Sequence, residues 1–256
     1  MIRSLYTAVS GMIALEAKQD VITNNMANAN TTAYKADDLK TKTFKEVMVQ
    51  NRDKVVGGKN VTNKLGEITL GTRIDETYTK FTQGVTASTD RDTDFAIEGR
   101  GFFTVQRGNN TYYTRDGHFN INNEGYHVTD NGDYVMGRDI NTGAITRMNF
   151  GSSKITFDTN NNIVLNGIPR YQLAISDFND YNANLTKMGD NLYRGNNAMA
   201  VNNANIRHKY LEKSNVNLTN TMVDLMSTMR AFETNQKMVQ MVDDTLGKAA
   251  TQIGKV

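Results

Sequence analysis

Three histidines, His118, His127 and His208, are the first residues to test for chemistry. Imidazole is the commonest metal ligand and the usual general base near neutral pH. His118 and His127 stand nine positions apart across two β-prone runs, so a hairpin there could bring them face to face. No further histidine or acid is spaced to complete a metal set, and a strand or surface histidine is the commoner outcome. Asp116 beside His118 invites a catalytic reading, but Asp116-Gly117 is first a hairpin-turn signature. Ile97, Gly99 and Gly101 resemble a fragment of a phosphate loop without the third glycine, the Lys-Ser/Thr pair or the helix that such a loop needs. GxSxG, HExxH and paired carboxylates in apolar surroundings are missing. With no cysteine, thiolate nucleophiles, thiolate metal sites and disulfides are excluded. The expectation is a chain that is no enzyme, with no catalytic, metal or cofactor-binding residue.

The elements that would carry such residues point to a different kind of function. From Leu218, steps of four and three land on Met222, Leu225, Met229, Phe232, Gln236, Val239, Asp243, Leu246, Ala250 and Ile253, and only Gln236 and Asp243 are not apolar. A sustained 3.5-residue spacing is the seam of a left-handed coiled coil. The stretch would run about 54 Å as a helix. A weaker stripe, Met226, Met238, Met241 and Val242, lies off the seam, so this helix wants neighbours on more than one side. Periodicity alone serves a core helix of a globular domain equally well.

Ile2 to about Ala29 is helical again, with Leu5, Val9 and Met12 on one stripe and Ile22 and Met26 resuming it. Gly11, among Ala8, Ser10 and Ala14, suggests a close helix contact, since glycine costs roughly 1 kcal/mol of propensity there. The run from Asn24 to Lys35 should end the helix, because asparagine and threonine side chains compete for backbone hydrogen bonds. Lys35 to Thr79 lacks periodicity; it reads as an extended arm with a short helix around Phe44–Val49 and a Gly57-Gly58 break. From about Phe81 the chain turns β-rich, with short strands between Gly108-Asn109, Asp116-Gly117, Glu124-Gly125, Asn131-Gly132 and Asn166-Gly167, the pattern of an antiparallel meander. Asn179 to Asn205 reads as asparagine-rich loops. The expected parts are an N-terminal helix and loop (1–34), an arm (35–79), a β body (80–205) and a C-terminal helix (206–256). The fold class is α+β, with an all-β antiparallel, barrel- or sandwich-like centre that needs neither helix for its core.

Charge narrows the partners. The 256 residues carry a formal net charge of only +2. Over residues 211–256 Lys213, Arg230, Lys237, Lys248 and Lys255 are balanced by Glu212, Asp224, Glu233, Asp243 and Asp244. Arg3 and Lys18 are balanced by Glu16 and Asp20. Neither end is a basic arm for nucleic acid or anionic lipid. No stretch reaches the roughly 20 apolar residues of a membrane span. Glu16, Lys18 and Asp20 follow too soon for a cleavable secretory signal.

With these landmarks in place, the chain resembles the axial proteins of the bacterial flagellum, the rod and hook subunits. Its N-terminal run SLYTAVSGM…VITNNMANANTTAYK is similar to the family signature through Asn24, Asn25, Ala27, Asn28, Thr31, Tyr34 and Lys35. Position 33 is Ala33 where the family usually has glycine, so a left-handed turn there is not expected. FTQG (81–84), AIEGRGFF (96–103) and YTRDGHF (113–119) resemble its β-domain motifs. LEKSNVN, with Ser214 and Asn215, and RAFETNQK, with Arg230, Glu233 and Asn235, resemble its C-terminal signature, Phe232 standing where tyrosine is common. The length and the 46–75 segment are most similar to the distal rod type, with a proximal rod or hook-type subunit as the alternative. The resemblance implies a structural subunit of the flagellar basal body, exported through the flagellar type III apparatus. Its implied partners are copies of itself and adjoining rod and hook subunits. The terminal helices would pair on assembly through Leu5, Val9, Met12, Ile22, Met26, Leu218, Met222, Leu225, Met229, Phe232, Val239 and Leu246. They would form an inner tube inside an outer β layer, bridged by the arm, and the tube would transmit torque. The reading from another class is a globular β-domain binding protein with no filament role.

Overall fold

The computed structural model describes residues 2–253 apart from 57–58, 152, 154, 159–160 and 202–203. Gly57-Gly58 and the Ile253 side chain fall outside that description. The chain divides into two units, one of Met1–Met26, Asp37–Tyr78 and Leu218–Val256, the other of Ala27–Ala36 and Thr79–Asn217.

The first unit holds both long helices and the arm. The N-terminal helix, Ile2–Ala27, ends inside the asparagine-rich run. The C-terminal helix is Leu218–Lys248, continued by a π turn at Ala249–Ile253. It begins later than the expected segment, because residues 205–212 form strands in the other unit. Gly11 is the point of close approach: a Cβ there would stand 3.2 Å from Asn235 Nδ2 on the C-terminal helix. No helix among the described residues is long and apolar enough to cross a membrane.

The arm is β structure, and the short helix expected around Phe44–Val49 is not there. Asp37–Thr43 pairs with Thr72–Thr79, and Val47–Val56 pairs antiparallel with Lys59–Ile68. A two-stranded ribbon largely open to solvent has no buried face to impose a period-2 pattern, which is why the sequence shows no strand signal. At its base Gly71 has φ 121°, and a Cβ there would lie 2.1 Å from Ser10 Oγ on the N-terminal helix. The Ser10 hydroxyl accepts the Thr72 N–H at 3.3 Å.

The second unit is the β body. Its 13-stranded sheet follows the spatial order 155–157, 162–165, 168–173, 134–139, 102–107, 110–114, 192–195, 185–189. Neighbours along this order pair antiparallel. Asn166 and Gly167, with φ 51° and 86°, make the two-residue turn expected of an Asn-Gly pair. Asp116-Gly117 does not make a hairpin. Tyr113 pairs with Thr104 and Tyr193, and Phe119 pairs with Thr129. Gly117 instead permits close passage: its carbonyl accepts the Phe95 N–H at 3.1 Å, and a Cβ would meet Phe95 O. The expected loops of 179–205 contain strands Leu185–Gly189, Leu192–Gly195 and Met199–Val201. Buried Leu185, Leu192 and Tyr193 hold them, while Asp190, Asn191 and Asn197 take the left-handed turns.

Phe95, Ile97, Phe103, Phe119, Val135, Met148 and Ile163 are the centre of the main core, and all of its members lie within residues 95–206. His127 is inside it and does not face His118. Its ring sits 4.8 Å from Phe150, 4.9 Å from Phe119 and 6.0 Å from Phe95. Neither ring nitrogen has a side-chain partner among the described residues. Burial dominates over the Thr93 backbone that faces the ring and pushes the imidazole down to about 3. The unfolded chain takes up this proton near pH 6.5, while the folded body refuses it down to about 3. This contribution to stability is therefore complete above pH 6.5 and is lost as pH falls through that window. Asp116, raised chiefly by burial, acts in the opposite sense at lower pH. The unfolding free energy from urea titrations between pH 7 and about pH 5 should fall by about 1.4 kcal/mol per pH unit below 6.5. His127→Phe should flatten that slope, and an unchanged slope would refute the assignment.

Candidate functional site

Within the β body the quoted motif residues meet at one buried charge node. Glu212, Lys35 and Arg115 are almost fully buried. Lys35 Nζ donates to Glu212 Oε1 at 2.5 Å and to the Thr82 carbonyl at 2.8 Å. The same carboxylate oxygen accepts the Gly84 N–H at 2.8 Å. Arg115 Nη1 stands 3.5 Å from Glu212 Oε2. Arg115 Nη2 donates to the Gly99 carbonyl at 2.6 Å, with the guanidinium over the Phe102 ring. One carboxylate is thus shared by two cations. Burial pulls the Lys35 ammonium below the ordinary lysine range against the pull of Glu212, and Arg115 adds to the lowering.

Backbone and amide bonds extend the node. Asn215 Oδ1 accepts the Ala36 N–H at 2.8 Å, and its Nδ2 donates to the Lys80 carbonyl at 2.7 Å. Ala36 O accepts the Lys80 N–H at 2.7 Å, closing the base of the loop from which the arm departs. Tyr34 is buried under Lys187 Nζ, 4.2 Å from its ring centroid. Ala33 does take the left-handed conformation, with φ 54°, against the expectation from its type. Its N–H donates to the Glu212 carbonyl at 2.7 Å. That bond and full burial offset a strain of about 1–2 kcal/mol. Gly84 is required by contact, since a Cβ would lie 2.0 Å from Lys213 O.

In the first unit the remaining motif residues are dispersed. Asn25 Nδ2 donates to Asp37 O at 2.7 Å and Asn25 Oδ1 accepts the Asp37 N–H at 2.9 Å, which docks the arm on the helix end. Asn235 meets Gly11. Asn24, Arg230 and Glu233 are exposed. In the second unit Asn28 accepts from the Thr31 hydroxyl, and Ser214 Oγ accepts the Val216 N–H.

The expected interface residues divide into covered and open sets. On the C-terminal helix the covered row is Leu225, Thr228, Phe232, Asn235, Val239, Val242, Leu246 and Ala249. It shares Leu225, Phe232, Val239 and Leu246 with the expected seam. Met222 and Met229 lie outside it, because 3.5-residue spacing supports two adjoining seams with one row in common. Leu218, Met222, Met226 and Met229 are open, at 43%, 45%, 54% and 44% exposure. On the N-terminal helix Ile22 is buried and Leu5, Met12 and Met26 are half-buried, while Val9, Tyr6 and Ile13 are exposed.

Glu212 and Arg115 belong to quoted motifs, but nothing local marks them as node members. Gly84 likewise lies in a quoted motif, FTQG, whereas Lys187 and Asn191, whose Nδ2 donates to Thr32 O at 2.9 Å, carried no signal. Lys35→Met leaves a carboxylate facing Arg115 alone, and Glu212→Leu leaves two unpaired cations. Glu212→Leu should destabilise the body by about 3–5 kcal/mol in urea unfolding and Lys35→Met, which leaves the Arg115–Glu212 pair, by less; the double variant still leaves Arg115 without its carboxylate but should cost less than the sum of the two. Additive losses would show that the ion pair does not couple the two segments.

Three family models match: "Flagella basal body rod protein" over residues 5–35, "Flagellar hook protein FlgE/F/G D1 domain" over 96–166 and "Flagellar basal body rod FlgEFG protein C-terminal" over 207–253. The chain is 34% identical to the flagellar basal-body rod protein FlgG of Borreliella burgdorferi, covering 97% of this chain and 98% of that one. It is 32% identical to FlgG of Bacillus subtilis, with 96% and 97% covered. It is also 32% identical to the flagellar basal-body rod protein FlgF of Caulobacter vibrioides, with both chains covered in full. Node residues Lys35, Arg115 and Glu212 lie inside the matched stretches, and the chain belongs to the flagellar basal-body rod and hook axial protein family.

Proposed function

We propose that this chain is a structural subunit of the flagellar basal-body rod, exported through the flagellar type III apparatus and polymerised through its terminal helices into a tube that carries torque. The observations that carry the reading are the open apolar row Leu218, Met222, Met226 and Met229 and, on the other helix, the exposed Tyr6, Val9 and Ile13. A helix apolar on two sides and covered on one is stable in water only at a cost that neighbouring subunits remove. Assembly of this kind needs many shallow contacts along a helix rather than a catalytic cleft. Pairing between copies would use the coiled-coil seam positions Leu218, Met222 and Met229 of that row, with the β bodies forming an outer, barrel-like layer. The distal rod position is supported by the length of the 47–68 ribbon, a two-stranded element that gains stability by lying on a neighbour. Similarity to FlgF over both whole chains favours a proximal rod position as the second reading.

Met229→Asp separates assembly from folding better than Leu225→Asp, because Met229 is open and Leu225 is half-buried within its own unit. A carboxylate in that contact costs more than about 2 kcal/mol per neighbour. Basal bodies from cells expressing Met229→Asp should lack the chain and the cells should not swim, while the purified variant keeps its wild-type unfolding midpoint. Normal incorporation would overturn the helical interface. Deleting 46–63 should leave the purified chain soluble but alter the straightness or stiffness of the assembled segment in electron micrographs. An unchanged shape would remove the bridging role from the arm.

A further inference from the structure

The first unit contains a cavity of about 510 Å³ between its two helices and the foot of the arm, lined by Arg3, Thr7, Ala8, Leu70, Met238 and Val242. Its walls are mostly apolar, and Arg3 is exposed. On the same C-terminal helix, steps of four, four and three place Leu218, Met222, Met226 and Met229 in one open row, and a further step of four reaches exposed Glu233.

We propose that the cavity is a socket for the Leu218–Met229 row of a second copy of this chain, with Arg3 of one copy paired to Glu233 of the next. The inference rests on the rod-subunit reading and names the surfaces through which copies meet. Three features select this occupant. The row is apolar and methionine-rich, and unbranched thioether side chains fill an irregular cavity without a matched shape. The row ends in a carboxylate and the cavity carries a guanidinium, and neither Arg3 nor Glu233 has an ion pair among the described residues. Finally, Met226 and Met238 are twelve residues apart, which is a rise of about 18 Å and a turn of about 120° along the helix. The row therefore cannot fill the socket of its own chain. Each copy offers one row and one socket at different places, so the contact is heterologous and leaves both ends of any chain of copies open.

A photo-crosslinking amino acid at position 226, in basal bodies isolated from cells carrying the chain, tests this directly. The expected adducts join position 226 of one copy to residues 3–8 or 238–242 of another. Arg3→Glu and Glu233→Arg should each lower the adduct yield about fivefold, the effect of a single exposed pair near 1 kcal/mol, and the double swap should restore it. Ala8→Trp, which fills the socket, should abolish the adduct; the charge swap decides the matter if that variant misfolds. Adducts to other residues of a neighbouring copy, to a different protein, or only within one chain overturn the socket while leaving the rod reading in place. Absence of the chain from the basal bodies overturns the rod reading itself.

Discussion

A single buried carboxylate organises the β body. Glu212 has lost its water, and its charge is offset by Lys35, Arg115 and the Gly84 N–H. An ion buried this way is expensive unless its lone pairs are met by donors of good geometry. Lys35 and the Gly84 N–H donate to it and Arg115 faces it as a charge 3.5 Å away, so the carboxylate draws together residues 33–36, 82–84 and 115. The result is specificity of arrangement more than net stability. Segments 31–36 and 209–217, which flank the two long helices in sequence, become parts of the folded body rather than loose connections.

The helices follow a different rule. Their covered row is built mostly from half-buried side chains, and buried Thr228 and half-buried Asn235 interrupt the apolar ones. Methionine is used on the open row, where a side chain must be tolerable in water and still pack against more than one shape. A body held by buried, fully specified contacts and helices held by shallow, adaptable ones is the division expected of a subunit that is stable alone in one part and completed by neighbours in the other.

Glycine and its substitutes show how contacts override residue type. Gly71 and Gly84 are required by close neighbours. At position 33 an alanine adopts the left-handed backbone that glycine would take freely, because the Glu212 carbonyl bond and the surrounding core hold it there. A fold can keep a strained turn without glycine where enough neighbours specify it.

The sequence by itself determined the two helices, most β-body strands and the family, because these rest on local signals: 3.5-residue periodicity, turn pairs such as Asn166-Gly167, and ordered motifs. It left the arm unread, because a ribbon with two wet faces carries no alternation. It misassigned Asp116-Gly117, whose glycine serves a distant strand at Phe95 and no local hairpin. Which of two adjoining seams is covered was decided only in the tertiary structure, since Leu225, Phe232, Val239 and Leu246 serve both and the neighbour at Gly11 selects one. The same holds for the node. Lys35 and Glu212 are 177 positions apart, and a charge pair across that distance has no periodicity or spacing by which a sequence could announce it.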